Sequence, residues 1–190
     1  MNRTKDDLEL AREGDREAFW RLVSPHRGLI FATALGMLKD PEAAEDLLHE
    51  TLLTAARSIG TLRDLPCLPG WLHTMTRNLA LDSIRRQQRG RRAMAAAARQ
   101  TQVIPVGEWV EKEAWLTTME QAIGELPEPF RVILALKYIN EYSYEQISRA
   151  LGITLGAVRS RLFEARKLLK SKTEALAQAR EAKDHGTRTV

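Results

Sequence analysis

Apolar residues recur at three- and four-residue intervals along most of the chain, the spacing of helices that turn one face to a core and the other to water. The segment 41–59 shows it most plainly, with Ala44, Leu47, Leu48, Leu52, Ala55 and Ile59 on one side. Asp40 is placed to cap that helix, and Pro41 suits a first turn, where no backbone N–H is required. The same periodicity predicts helices over about 4–13, 15–38 and 69–88 in the first half, and about 112–125, 128–140, 143–151 and 155–176 in the second. Two prolines and two glycines make 60–70 a loop. From Arg89 to Glu111 the period fails, in an Arg/Ala/Gln-rich run that leads into Val103-Ile-Pro-Val-Gly107, and this is the best domain boundary. The expected fold is all-α: two small helical domains, 1–88 and 112–178, joined by a flexible linker at 89–111, with a tail at 179–190 that frays from Arg180.

The most informative stretch is 143–166. Ser143 can cap a helix with Gln146 as its reciprocal partner, Gly152 permits a tight turn, and Thr154 can cap a second helix. Val158, Leu162, Ala165 and Leu169 form the buried stripe of that second helix, which leaves Arg159, Ser160, Phe163 and Arg166 on other faces, free to enter a major groove. The pattern is that of a DNA-binding helix-turn-helix. An ordinary helical hairpin with a solvated basic face would share the charge but has no need of this turn and these caps together.

Charge sharpens the picture because it is local. The 190 residues carry Lys+Arg 29 against Asp+Glu 25, a net of +4. Yet 155–172 holds six basic residues (159, 161, 166, 167, 170, 172) and one acid, Glu164, while 73–92 holds Arg77, Arg85, Arg86, Arg89, Arg91 and Arg92 against Asp82. Two basic surfaces suited to phosphate follow. A lone Cys67 excludes an internal disulfide, no apolar run approaches membrane-spanning length, and the charged N-terminus is unlike a signal peptide, so a cytoplasmic setting without membrane insertion is expected. No nucleophile paired with a base, no glycine-rich phosphate loop and no HExxH-type pair is present, so neither catalysis nor a cofactor is expected.

Two further constellations stand in the first half. The helix 69–88 sets an apolar stripe of Trp71, Leu72, Met75 and Leu79 against Thr74, Arg77, Asn78, Arg85 and Arg86. Asn can pair with a base edge, Arg can neutralise phosphate, and the adjacent loop could pocket an unstacked base, although a solvated amphipathic helix has the same spacing. The helix 41–59 has an acidic outer face of Glu42, Glu45, Asp46 and Glu50, with His49 among them. Acids in the first turns stabilise any helix N-terminus, and a docking surface for a basic protein is the functional reading. His49 lacks companions at metal-ligand spacing.

In register, these segments resemble the bacterial extracytoplasmic-function RNA polymerase sigma factors, which are of the sigma-70 type. Ala44-Glu-Asp-Leu-Leu-His-Glu-Thr-Leu-Leu53 is similar to the family's polymerase-docking helix, and Trp71-Leu-His-Thr-Met-Thr-Arg-Asn-Leu-Ala-Leu-Asp-Ser-Ile-Arg-Arg86 to its minus-ten helix. Leu126-Pro-Glu-Pro-Phe-Arg131, Tyr142-Ser-Tyr-Glu-Gln-Ile147 and Gly156-Ala-Val-Arg-Ser-Arg-Leu-Phe-Glu-Ala-Arg166 resemble its minus-thirty-five domain. The resemblance, over residues 5–176, implies a subunit that binds core RNA polymerase, directs it to promoter DNA and helps melt the minus-ten element, commonly under an anti-sigma factor. It implies polymerase contacts at Glu45, Asp46, His49 and Glu50, and minus-ten contacts at Arg63, Thr74, Arg77, Asn78, Arg85 and Arg86, with loop 61–69 holding a flipped base. It implies minus-thirty-five contacts at Thr154, Arg159, Ser160, Arg161, Phe163, Glu164, Arg166 and Lys167. The loop departs from the family's frequent Phe-Arg-Gly-x-x-x-Phe pattern, the linker begins basic, and Glu164 stands where many relatives carry a basic residue. The alternative function is a dimeric helix-turn-helix regulator that acts without polymerase; it would shift duplex DNA alone, whereas a sigma factor would gain specificity only with core enzyme.

Overall fold

The computed structural model describes residues 3–97 and 111–187, with side chains placed for 6–89 and 118–179, and every regular element among them is helical. The first half comprises α1 (Arg3–Arg12), α2 (Arg16–Val23), α3 (Arg27–Leu38), α4 (Pro41–Ser58) and α5 (Leu68–Ala97). The second comprises α6 (Glu111–Gly124), α7 (Glu128–Tyr138), α8 (Tyr144–Leu151) and α9 (Leu155–Thr187).

The single helix expected over 15–38 is two helices, because Pro25 intervenes. Its ring lacks an N–H and would collide with the carbonyl four residues back, so the chain tightens into a 3₁₀ turn at Ser24–His26 before α3 begins. Asp15 caps α2, its Oδ1 accepting from the N–H groups of Glu17 and Ala18, and Asp40 caps α4 in the same way through Glu42 and Ala43. The loop 60–70 contains two further 3₁₀ turns, Ile59–Thr61 and Leu65–Cys67.

Helix α3 is the centre of the molecule. Leu29, Ile30, Ala32, Thr33, Ala34, Gly36 and Met37 are all buried, which a helix apolar on every side requires. It packs against α4, α5 and α7. Buried hydroxyls are satisfied within their own helices: Thr33 donates to the Leu29 carbonyl, Thr51 to Leu47 and Thr76 to Leu72, at 2.7 to 2.8 Å.

The second half closes around Val132, Ile133 and Leu136 of α7, Ile147 and Ala150 of α8, and Val158, Leu162 and Ala165 of α9. Leu29 and Ala32 of α3 belong to this same core, so the two halves are packed together. Two glycines make the approach possible. A Cβ on Gly36 would lie 2.9 Å from the Val132 backbone nitrogen and 2.7 Å from its Cγ2, and one on Gly28 would lie 2.5 Å from the Asn140 amide nitrogen.

Two helices outrun their apolar stripes. α5 continues to Ala97, through residues read as linker, and α9 continues to Thr187, through residues read as a frayed tail. The extensions are rich in Ala, Arg, Lys, Gln and Glu, which favour helix by intrinsic propensity; apolar periodicity reports burial, not helicity. The rest of the expected linker, 98–110, and the last three positions lie outside the described residues, as do the side chains of Arg91 and Arg92.

Candidate nucleic-acid interface

The helix-turn-helix is built by α8 and α9. Ser143 Oγ accepts from the Gln146 N–H at 3.2 Å while the Gln146 side chain accepts from the Ser143 N–H at 2.7 Å, which closes a capping box at the start of α8. Gly152 ends α8 with φ of 64°, a left-handed conformation that lets the chain reverse at little steric cost. Ser148 Oγ donates to the Ile153 carbonyl at 2.5 Å across the turn, and Thr154 Oγ1 accepts from the Ala157 N–H at 3.2 Å to cap α9. The second helix is thereby fixed in direction before any DNA is met.

Along α9, Arg159, Ser160, Phe163, Glu164, Arg166 and Lys167 are exposed and Arg161 is half-buried. Phe163 is 63% exposed, a large apolar ring left in water next to basic neighbours. Arg166 Nη2 reaches the Tyr144 hydroxyl at 3.4 Å, tying α9 to α8. Glu164 is in none of the ion pairs among the described residues. Glu145, at the head of α8, has its carboxyl held below the usual range, first by a backbone N–H and the Ser143 hydroxyl and then by the nearby Arg159 and Arg149 charges.

The second basic surface lies on α5. Thr74, Arg77, Asn78, Arg85 and Arg86 are exposed, and Arg63 is exposed in the preceding loop. Asp64, beside it, accepts from the Cys67 N–H at 3.2 Å; the bond from the Cys67 thiol, and then this one, hold the Asp64 carboxyl low, while the thiol is pushed up by its bond to Asp64 and by burial. The Thr74 hydroxyl donates to the Gly70 carbonyl at 2.8 Å, and Arg85 lies 3.1 Å from Asp82. Trp71 is half-buried against the apolar core of the first half. Beneath the basic face, His73 Nδ1 lies 3.1 Å from the Thr33 hydroxyl; burial, assisted by Arg77, lowers the imidazole's pKa against the opposing effect of Glu128.

The acidic face of α4 stands alongside. Glu45, Asp46, His49 and Glu50 are exposed, and Glu50 Oε1 lies 3.8 Å from Arg86 Nη2. Three candidate surfaces, acidic α4, basic α5 and basic α9, are therefore carried on rigid helices. No cluster that could hold a metal ion occurs among the described residues.

Sequence reasoning missed what joins the halves. Arg77 Nε lies 3.2 Å from Oε1 of Glu128, at the N-terminus of α7. Arg131, half-buried and with its pKa lowered by burial, donates to the Gly36 carbonyl at 2.5 Å and to the Leu126 carbonyl. Lys39 donates to the Gly124 carbonyl. Helix α8 packs against α5, so the two basic surfaces are not independent in this arrangement. The only signal available beforehand was the motif Leu126-Pro-Glu-Pro-Phe-Arg131 itself, and no periodicity pairs residues this far apart.

An all-α chain with a capped helix-turn-helix at one end, and an acidic helix beside a basic one at the other, defines a DNA-binding transcription factor. Residues 22–90 match Sigma-70 region 2 and residues 116–169 match Sigma-70, region 4. The ECF RNA polymerase sigma factor EcfG of Rhodopseudomonas palustris is 30% identical over 155 residues, 82% of each chain. SigE of Mycolicibacterium smegmatis is 33% identical over 165 residues, 83% of this chain but 63% of that protein, and SigW of Bacillus subtilis is 26% identical over 182 residues, 90% and 97%. In fold, the chain is similar to CnrH in complex with the cytosolic domain of CnrY (TM-score 0.58, 20% identity, 92% of this chain and 99% of that one) and to the sigma factor RpoE in complex with the anti-sigma factor NepR from Bartonella quintana (TM-score 0.56, 22% identity, 82% and 96%). The chain belongs to the extracytoplasmic-function sigma factors, transcription initiation factors of the sigma-70 family. No helix among the described residues is long and apolar enough to cross a membrane.

Proposed function

We propose that the chain binds core RNA polymerase through the acidic face of α4, centred on Glu45, Asp46, His49 and Glu50, and directs it to promoters with its two basic helices. The observation that carries this is the adjacency of an exposed acidic face and an exposed basic one, 3.8 Å apart at Glu50 and Arg86, on a family match that spans both. Arg63, Thr74, Arg77, Asn78, Arg85 and Arg86 engage the minus-ten element: the arginines neutralise phosphate and Asn78 bonds a base exposed by strand separation. Thr154, Arg159, Ser160, Arg161, Phe163, Glu164, Arg166 and Lys167 grip the minus-thirty-five duplex from the major groove. The domain limits remain 1–88 and 112–178 for these two tasks, with 89–111 between them.

The chain supplies no catalytic group; it gives specificity to a polymerase that does the chemistry, in the cytoplasm where that polymerase works. An anti-sigma factor is its regulator. Support comes from a groove of about 640 Å³ where α3 meets α6 and α7, whose lining includes Leu35, Ile123, Tyr138 and Ile139, with Tyr138 and Ile139 more than half exposed. Apolar side chains of that size left in water mark a binding surface. The test of the whole reading is transcription in vitro with core polymerase on a genomic library, with start sites mapped. Shared minus-ten and minus-thirty-five elements upstream of chain-dependent starts support it; transcription that is unchanged by the chain, or a chain that selects duplex DNA equally well alone, rejects it.

A further inference from the structure

We infer that Trp20 of α2 is an aromatic anchor for core RNA polymerase, held in place by Arg27, so that the docking surface extends from α4 onto the corner between α2 and α3. The inference rests on the sigma-factor reading and adds a contact to that same surface.

The sequence leaves this ring outside the hydrophobic core. Ala18, Leu22 and Val23 form the buried side of α2 and Phe19 packs against the same core, while Trp20 falls off that stripe and is 47% exposed. Single apolar side chains in water are ordinary, so exposure alone decides nothing. The surroundings decide. In one continuous helix, Trp20 and Arg27 would stand about 10.5 Å apart along the axis. The break at Pro25 interrupts that helix, and the Arg27 guanidinium lies over the Trp20 ring, 5.5 Å from its centroid, within cation–π range. Arg27 takes part in none of the ion pairs among the described residues. An indole already stacked in this way loses little rotamer freedom when a partner covers it.

From Arg27 the surface runs on into the acidic face. Arg27, Phe31, Leu48, Glu45 and His49 line one recess of about 380 Å³. Leu53, 60% exposed, lies one turn beyond His49 and Glu50 and continues the outer face of α4. Large apolar side chains next to complementary charge are what a protein interface uses, and Trp and Arg are the residues most often found to carry its binding energy. Glu45, Asp46 and Glu50 repel phosphate, so the occupant of this surface is a basic protein and not nucleic acid. Core polymerase is the partner already assigned to that face.

The test compares Trp20→Ala, Trp20→Phe, Arg27→Gln and the Trp20→Ala, Arg27→Gln double variant with the parent chain for binding to core polymerase in competition, with helicity checked for each. Trp20→Ala is expected to lower affinity at least tenfold and Trp20→Phe to retain most of it. Arg27→Gln is expected to lower affinity several-fold, and the double variant to bind no more weakly than Trp20→Ala, because Arg27 acts through the ring. The loss from Trp20→Ala is expected to persist from about 0.1 to 0.5 M salt, over which that from Asp46→Lys shrinks. In the unaltered chain, hydroxyl-radical oxidation of Trp20, read by mass spectrometry, is expected to fall several-fold on binding core polymerase, a readout that needs no variant to fold. Parental affinity in Trp20→Ala, or a Trp20 oxidised as readily in holoenzyme as in the free chain, overturns the inference. Protection that grows with the chain's own concentration and needs no polymerase also overturns it, and assigns the ring to a second copy. Additive losses in the double variant overturn the part given to Arg27. An unaltered chain that does not bind core polymerase instead overturns the sigma-factor reading, and the inference with it.

Discussion

At the scale of single residues, two side chains carry readable chemistry. Glu164 is the one acid in the basic stretch of α9, exposed and outside every ion pair among the described residues. In the major groove its carboxylate accepts a hydrogen bond from a cytosine amino group; away from the groove it only repels phosphate. Glu164→Ala, assayed in holoenzyme on a minus-thirty-five library, is expected to lose preference at one base pair by about 1–3 kcal/mol. Uniformly tighter binding to every sequence would show that no base is read. His73 makes the second case. Burial lowers its pKa, so the unfolded chain holds the proton more strongly and stability rises with pH. That contribution is complete above the unfolded value of about 6.5 and is lost as pH falls toward the folded one. The melting temperature is expected to drop between pH 7.5 and 5.5, and His73→Gln to remove part of the slope. His26, lowered by burial alone, supplies more of it. A slope untouched by the substitution would assign the whole effect elsewhere.

At the scale of elements, legibility followed locality. The caps of α4 and α8, the turn at Gly152 and the cap of α9 each depend on residues within four positions, so Asp40, Ser143, Gln146, Gly152 and Thr154 could be read directly. The break at Pro25 was missed because apolar residues continue on both sides of it, and the true lengths of α5 and α9 were missed because the sequence of their ends carries no apolar stripe. The exposed faces of α4, α5 and α9 were legible from spacing, but their roles were not; those came from several motifs standing in family order. The capping box gives a direct measure of how much local chemistry sets the helix-turn-helix. Ser143→Ala removes one acceptor and unseats Gln146, for a cost of about 1 kcal/mol. In a chain of 190 residues that is expected to lower the calorimetric midpoint by about 2–4 °C. An unchanged midpoint would mean that the box is open in solution.

At the scale of the whole molecule the question is which force holds the halves together. Among the described residues the seam contains one partly exposed ion pair, Arg77 with Glu128, and backbone carbonyls held by Arg131 and Lys39. Exposed pairs of this kind contribute about 0.2–1 kcal/mol and are screened by salt. The same seam buries Leu29 and Ala32 against α7, and a fully buried leucine alone is worth about 1.5–3 kcal/mol. The apolar contribution therefore dominates, and it does not weaken with ionic strength. A compact chain of 190 residues has a radius of gyration of about 16 Å, raised toward about 20 Å here by α9, whose 33 residues extend about 50 Å. Small-angle scattering of the free chain is expected to stay near that value from about 0.05 to 0.5 M salt, a range over which the screening length falls from above 10 Å to a few ångströms. A radius that climbs steadily with salt would show that charge holds the domains together, and that Leu29 and Ala32 contribute less than their burial implies.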